Sequence, residues 1–432
     1  MTTTYDPSHP KYFEEPDLRE ELDRVFDLCH GCRMCFNYCG SFPKLFNFVD
    51  SKGQQHAKLE PWEQDEVVDA CFQCKICYVK CPYIPPHEWA LDFPRLMMRA
   101  NAVAAPKKPL REKITDQALA RTDLVGAVSS AVAPLANQAI GTPNSLFRRL
   151  LDQVAGVSSV RILPAYARTR FSRWFKDRLP RYIASPRSKA AIFPTCFVEY
   201  NRPRIGADIV SVFEASEIRC SLVEGFSCCG APWLHQGNVA QFLDQAARNV
   251  EGLSRCVDQG QDIVVPQPTC GYVIKRDYPL YLGTEAAARV AAHTYDASEY
   301  LVEVAKERGP VPVLAKLEDA PSVTYHAACH LQAQNAGLKG RDLLKLLGAR
   351  VTVVAKCSGI DGTWGYRSEN EQESKRMAAS LASQITKGGA DYVCGDCHLA
   401  NTAIDEETGA GVMYPISLVA KLLAIEPSPP IA

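Results

Sequence analysis

The sequence predicts an α-helical N-terminal domain, a helical linker and then a duplicated α/β domain, and three observations carry that prediction. Eight cysteines fall in two runs of one spacing, Cys29, Cys32, Cys35, Cys39 and Cys71, Cys74, Cys77, Cys81, each run led by an amphipathic helical stretch. From Ala190 onward short apolar strand-like runs alternate with helical ones. That alternation occurs twice, in copies of about a hundred residues, with cysteines at the strand ends both times.

The chain has 432 residues, 47% of them hydrophobic, enough to bury a sizeable core. Eighteen cysteines are too many for an ordinary cytosolic protein. The start, MTTTYDPSHP, is polar and holds no signal-peptide core, so the expectation is an intracellular protein with reduced thiols. Metal binding then explains the cysteine count. No apolar run reaches the roughly eighteen residues that span a bilayer. Net charge is −1 but unevenly spread: residues 1–30 carry eight Asp/Glu against three Lys/Arg, and residues 95–190 carry eighteen Lys/Arg against five Asp/Glu. A nucleic-acid partner is not expected, because no nucleic-acid module accompanies the basic segment.

The N-terminal domain is expected over 1–100. Pro16 to Leu28 places Leu18, Leu22, Val25 and Phe26 on one helical face and leads into Cys29. Trp62 to Ala70 leads likewise into Cys71. Each cysteine run reads C-x2-C-x2-C-x3-C, and the second continues into Pro82, the ligand pattern of a bacterial two-cluster ferredoxin. Three cysteines spaced by two wrap one cluster, and the fourth completes the other. One 4Fe-4S cluster is therefore assigned to Cys29, Cys32, Cys35 and Cys81, and a second to Cys71, Cys74, Cys77 and Cys39. Zinc ligands come as two pairs rather than two quartets, which disfavours zinc here. Gly40 stands where proline usually follows the first run. The helices make the domain a helical ferredoxin-type module, usually found inside a larger electron-transfer complex, and Met97 and Met98 are read as core filler.

The linker, 101–189, is rich in Ala, Pro, Arg and Lys, lacks cysteine, and is chopped by prolines into short helices. The apolar faces around Leu146 to Val157 and Phe171 to Phe175 suit either a membrane surface or packing against the next domain.

The first α/β copy, 190–310, has strands ending near Cys196, before Cys228-Cys229-Gly230 and near Cys270. The second, 311–432, has strands ending at Cys329, before Cys357-Ser358-Gly359 and at Cys394 and Cys397. Ligands of α/β sheets sit beyond the carboxyl ends of strands, so each set should converge. The tails also match, YDASEYLVEVA and YPISLVAKLL.

These motifs resemble the cysteine-rich, CCG-type domain of a family that includes heterodisulfide reductase, glycolate oxidase iron–sulfur subunits and the C subunits of anaerobic glycerol-3-phosphate dehydrogenase. The resemblance to those C subunits covers most of the chain. It rests on FPTCFVEYNRP, CCGAPWLHQG, PTCGYVIKRDYP, YHAACH, CSGIDGTWGYRSEN and GGADY, and on the linker stretches RTDLVGAVSSAVAPLANQA and LPAYARTRFSRWF. In the fullest form of this repeat five cysteines bind a non-cubane cluster: one leading Cys, a CC pair and a C-x2-C. Neither copy here is complete. The first keeps Cys196, Cys228, Cys229 and Cys270, with Gln267 where the C-x2-C would begin. The second keeps Cys329 and Cys357, with Ser358 in place of half the pair. Its end reads either as Cys394 with Cys397, or with Cys397 as first member and Ala400 as second. Each set suits a further iron–sulfur cluster or zinc. Free vicinal thiols or a redox disulfide remain the alternative for Cys228 and Cys229, and Cys220 and Cys256 are read as buried.

His326, His330, His235 and His398 lie near cysteines and are assigned orienting or packing roles. No nucleotide, phosphate or catalytic-triad signature appears. The resemblance implies an iron–sulfur electron-transfer subunit of anaerobic respiration. It would take electrons from a flavoprotein dehydrogenase, of glycerol 3-phosphate type, and pass them toward quinone, with the chain cytoplasmic or peripheral on the cytoplasmic face of the inner membrane. The alternatives are a heterodisulfide reductase-like catalytic subunit, or a soluble electron donor to a di-iron peroxide reductase.

Overall fold

The computed structural model describes residues 6–53, 58–309 and 311–431. Met1 to Tyr5 of the polar start, and Pro310, where the first α/β copy is expected to end, lie outside the described residues.

The N-terminal region is helical. The helix Glu15–Cys32 starts with proline in its first turn and acidic Glu15 and Asp17 there, both suited to a helix N-terminus. It buries Leu18, Leu22, Val25 and Phe26, as the periodicity predicts, but runs one turn further than expected and carries Cys29 and Cys32 on its last turn. Pro61–Asp69 is closed by reciprocal bonds between Glu60 and Glu63 and buries Val67 and Val68. These two, Ser41–Ser51 and Phe93–Ala104 pack around Phe42, Leu45, Phe46, Leu96 and Met97. The last helix starts at Phe93, where Asp92 caps it, its side chain accepting from Arg95 N–H at 3.0 Å. Gly40 has φ −68°, a value that proline also holds, so the exchange of one for the other leaves the turn intact.

The linker forms the short helices Leu110–Ala120, Thr122–Ala131, Ala133–Gly141, Leu146–Ala155 and Phe171–Asp177. The two apolar faces singled out in sequence part company. Phe171 and Trp174 are buried in the core of the α/β region. Leu146–Ala155 is turned the other way: Leu146, Phe147, Leu150 and Val154 are exposed. Its fully buried residue is Arg148, whose guanidinium donates to the carbonyls of Ile140, Ser158 and Arg161 at 2.5–2.8 Å. Many linker cations find acids within the chain, among them Arg161 with Glu406, Arg178 with Glu214 and Lys108 with Asp116. Among the described residues no single helix is long and apolar enough to cross a membrane. Thr122–Ala131 and Ala133–Gly141 reach that length together but bend by 110°.

Two small parallel sheets follow. β1 (Ser188–Ile192), β2 (Ile218–Leu222), β3 (Asp262–Val265) and β4 (Thr294–Asp296) form one in the order β2-β1-β3-β4. β5 (Ser322–His326), β6 (Arg350–Val354) and β7 (Tyr392–Gly395) form the other in the order β6-β5-β7. All pairings are parallel, and β2-β1-β3 and β6-β5-β7 have the same topology, as a duplication requires. β4 is too short to stand out in sequence. The sheets do not have separate cores: Ala190, Ile192 and Val264 of the first share one cluster with Val323 and Tyr325 of the second, under the helices Ala297–Glu307 and Pro415–Leu422.

Gly237 joins the first copy to the N-terminal region. Its φ is +85°, and a Cβ there would lie 2.1 Å from the Asn101 carbonyl oxygen. Gly237→Ala should destabilise the protein by more than about 1 kcal/mol. Thermal unfolding of the variant at an unchanged midpoint would contradict this packing.

Candidate metal centres

Parallel strand order decides where the cysteines of the repeats go, because every carboxyl end faces the same edge of its sheet. In the first copy Cys196 lies in the first turn after β1, in Thr195–Tyr200. Cys228 and Cys229 lie in the loop after β2, and Cys270 in Pro268–Tyr272 after β3. The four thiols form one chain, Cys196 facing Cys228, Cys228 facing Cys229 and Cys229 facing Cys270. Donors from Cys196, Cys229 and the Gly230 N–H hold the Cys228 thiol well below its ordinary range, while Cys196 and Cys229, which lend their protons and are buried, are pushed up. The linker contributes here too. Asp123, at the start of Thr122–Ala131, accepts from Cys228 N–H at 2.7 Å, and burial followed by the Cys228 charge pushes its carboxyl up to about 7.

The second copy gathers three of its four assigned cysteines. Cys329 opens the helix after β5, Cys357 follows β6, and Cys397 caps the helix after β7. The Cys329 thiol neighbours those of Cys357 and Cys397, and all three are pushed up chiefly by burial, Cys357 to about 12. Cys357 accepts the Gly359 N–H at 3.2 Å. Cys394 is not brought to them. It sits inside β7, in register with Tyr325, and is fully buried in the shared core. Cys394 is still within the strand, whereas Cys397 lies past its end, as the cysteines of the first copy lie past theirs. Gln267, its counterpart in the first copy, reaches across. Its Nε2 donates to Cys397 Sγ at 3.3 Å and its Oε1 accepts the His398 N–H at 3.1 Å.

In the N-terminal region Cys29, Cys32, Cys35 and Cys81 line one hollow, with Leu28, Phe42 and Leu91. Cys39, Cys71, Cys74 and Cys77 line a second, with Phe42, Phe72 and Phe93. The residue after the second cysteine of each run, Arg33 at φ 54° and Lys75 at φ 64°, takes the left-handed turn that folds the run back on itself. Burial and neighbouring thiols push Cys35 and Cys71 up to about 12. Four thiols around an apolar hollow fit an iron–sulfur cluster, whose irons displace such protons on binding.

The second hollow abuts the second copy: Cys74 neighbours Cys329 and Cys357. Trp364 seals the contact, packing on Phe72 at 5.1 Å and donating to the Asp69 carbonyl at 3.2 Å. Lys75 is buried there, donating to Gln73 Oε1 at 2.6 Å and Met98 Sδ at 3.5 Å. Beside it opens a cleft of about 380 Å³ lined by Cys71, His235, Asp361 and Trp364. His330 and His398 are pushed down to about 3 by burial and stay neutral; His330 stacks on His235, and His398 on Phe197 at 5.2 Å. His326 reaches the Lys356 carbonyl at 2.9 Å. Cys256 is buried in the first-copy core and Cys220 packs at the edge of the shared one. Asp123, Lys75 and Asp361 carry no signal in sequence, being single polar residues in stretches dominated by other features.

A family model described as a cysteine-rich domain (CCG) matches residues 190–275 and 323–403, once per copy. The chain is 31% identical over 333 residues to the C subunit of the anaerobic glycerol-3-phosphate dehydrogenase of Escherichia coli (strain K12), covering 76% of this chain and 81% of that protein. It is 27% identical over 236 residues to the B subunit of the fumarate reductase (CoM/CoB) of Methanothermobacter marburgensis, covering 52% of this chain and 44% of that protein. To lactate utilization protein A of Geobacillus kaustophilus it is 28% identical over 225 residues, 48% of this chain and 87% of that one.

In metal-free protein, the thiolate absorbance should show one cysteine ionising well below the ordinary thiol range, because donors stabilise its charged form. Cys228→Ser should abolish that step. If the step survives in the variant, the charge resides on another thiol.

Proposed function

We propose, from the premise that the chain belongs to the family of the anaerobic glycerol-3-phosphate dehydrogenase C subunits, that it is an electron-transfer subunit whose sites form one line. The line runs from the Cys29, Cys32, Cys35, Cys81 hollow to the Cys39, Cys71, Cys74, Cys77 hollow, then to the second α/β copy, and from there, through Gln267, to the first. The observation that carries this reading is the adjacency of Cys74 to Cys329 and Cys357, which leaves no gap between the helical region and the repeats.

On this reading residues 1–100 are a ferredoxin-type module holding two 4Fe-4S clusters, 101–189 a linker, and 190–310 and 311–432 the two metal-binding copies. Each cluster, when bound, takes up and releases one electron. The chain's own residues supply thiolates, apolar walls that exclude water, and the buried Lys75 charge, which favours the reduced, more negative state of the cluster beside it. The donor is a flavoprotein dehydrogenase partner and the acceptor quinone. The exposed Leu146, Phe147, Leu150 and Val154 of one helix, and separately Arg168, Arg170, Arg173 and Lys176 around a surface hollow, suit a peripheral contact with anionic lipid.

A second reading, in which the chain reduces a small substrate itself, draws on the cleft beside Cys71, His235 and Asp361.

Anaerobically purified protein should hold about eight irons in its N-terminal region. Cys74→Ser should remove one paramagnetic signal of that region and spare the other, and loss of neither would contradict the ligand sets. Leu150→Asp should weaken binding to anionic vesicles several-fold; equal binding would remove this helix from the contact. Co-purification with a flavoprotein tests the donor, and isolation with no redox partner would count against the electron-transfer role.

A further inference from the structure

The second copy is short of thiols. In the first copy Cys228, Cys229 and Gly230 are followed by Ala231 and Pro232; in the second Cys357, Ser358 and Gly359 are followed by Ile360 and Asp361. A thiol is lost at Ser358, Ala400 stands in the place of Cys270, and Cys394 is held in the core. A carboxylate appears at the position of Pro232.

That carboxylate is oddly placed. The Asp361 side chain is 5% exposed, yet among the described residues it accepts no hydrogen bond, and its nearest ring nitrogen is His330 Nδ1 at 3.7 Å. Cys329, Cys357 and Cys397 each have Asp361 as a charged neighbour, and Cys329 Sγ, His330 Nδ1 and an Asp361 oxygen lie within 4.8 Å of one another. A carboxyl oxygen set among thiols without a bonded protein donor is left with free acceptor capacity that a bound ion or cluster would take up. The turn that delivers it is tightly built. Asp361 has φ 27°, and a Cβ on Gly359 would lie 2.4 Å from the Ser374 carbonyl oxygen, on Gly365 2.5 Å from that of Gly359. Among the described residues Cys357 and Cys397 do not join the 4.8 Å group. With Asp361 beside them, three thiols from the segments after β5, β6 and β7 make a set of four donors, the number an iron–sulfur cluster takes.

We propose that Asp361 is the fourth ligand of an iron–sulfur cluster held by Cys329, Cys357 and Cys397, so that one iron corner carries oxygen in place of sulfur. The inference rests on the reading that the chain carries iron–sulfur clusters. A hard carboxylate binds iron of a sulfide cluster less firmly than thiolate does. Because Asp361 also lines the cleft, the oxygen-bound corner is the one that faces it.

The test uses the full chain, reconstituted anaerobically with iron and sulfide, with iron, zinc and sulfide counted and paramagnetic spectra recorded. Asp361→Ala should lose about one iron per chain and gain a three-iron signal. Asp361→Cys should keep the iron and shift the cluster's signal, and Cys394→Ser should change neither. Iron and spectrum unchanged in Asp361→Ala, iron lost in Cys394→Ser, or zinc bound in the second copy in place of iron would each overturn the assignment. Thermal unfolding accompanies each variant, and the Asp361→Cys result decides the matter if Asp361→Ala fails to fold. Absence of any iron–sulfur signal from the eight N-terminal thiols would instead defeat the underlying reading.

Discussion

Parallel pairing is the constraint on which the rest depends. A parallel sheet sends every strand's carboxyl end to one edge, so cysteines far apart in sequence but each just past a strand meet without any local motif to hold them. Cys196, Cys228, Cys229 and Cys270 span 75 positions and still form one chain of thiols. The same geometry excludes Cys394, which lies within β7 and therefore belongs to the sheet.

The duplication is one structure as much as two. A shared core joins the sheets, Gln267 of one copy reaches Cys397 of the other, and Phe197 stacks on His398. Side chains from elsewhere reach the thiols of each copy: Gln267 of the first donates to Cys397 of the second, and Asp123 of the linker accepts the Cys228 N–H. The two copies have diverged in what they present. The first keeps a vicinal pair under the linker, while the second faces the helical region through Trp364, Phe72 and Lys75.

In the linker the two outcomes that its apolar faces allow are both realised. Its aromatic segment, Phe171 to Phe175, suits a surface or packing by its sequence alone, and it packs. The helix Leu146–Ala155 encloses its arginine and leaves leucines outside, because three backbone carbonyls accept from the two terminal guanidinium nitrogens, which turns the apolar face outward. Helical periodicity reports that a face is apolar; it does not report which side the rest of the chain will occupy.

By itself the sequence determined the elements that local spacing controls. The two cysteine quartets, the helices leading into them, the repeated strand and helix order and the strands before Cys228 and Cys357 were all legible, since each depends on neighbours within a few positions. Only the tertiary structure decided which thiols meet and what joins them. That Cys397 rather than Cys394 reaches the second site, that Asp123 and Asp361 stand beside thiols, that a buried lysine lies between the helical region and both copies, and that the second copy touches the helical region are consequences of long-range packing. No spacing rule encodes them, because the partners are up to roughly three hundred residues apart and are brought together by sheets whose edges face a common junction.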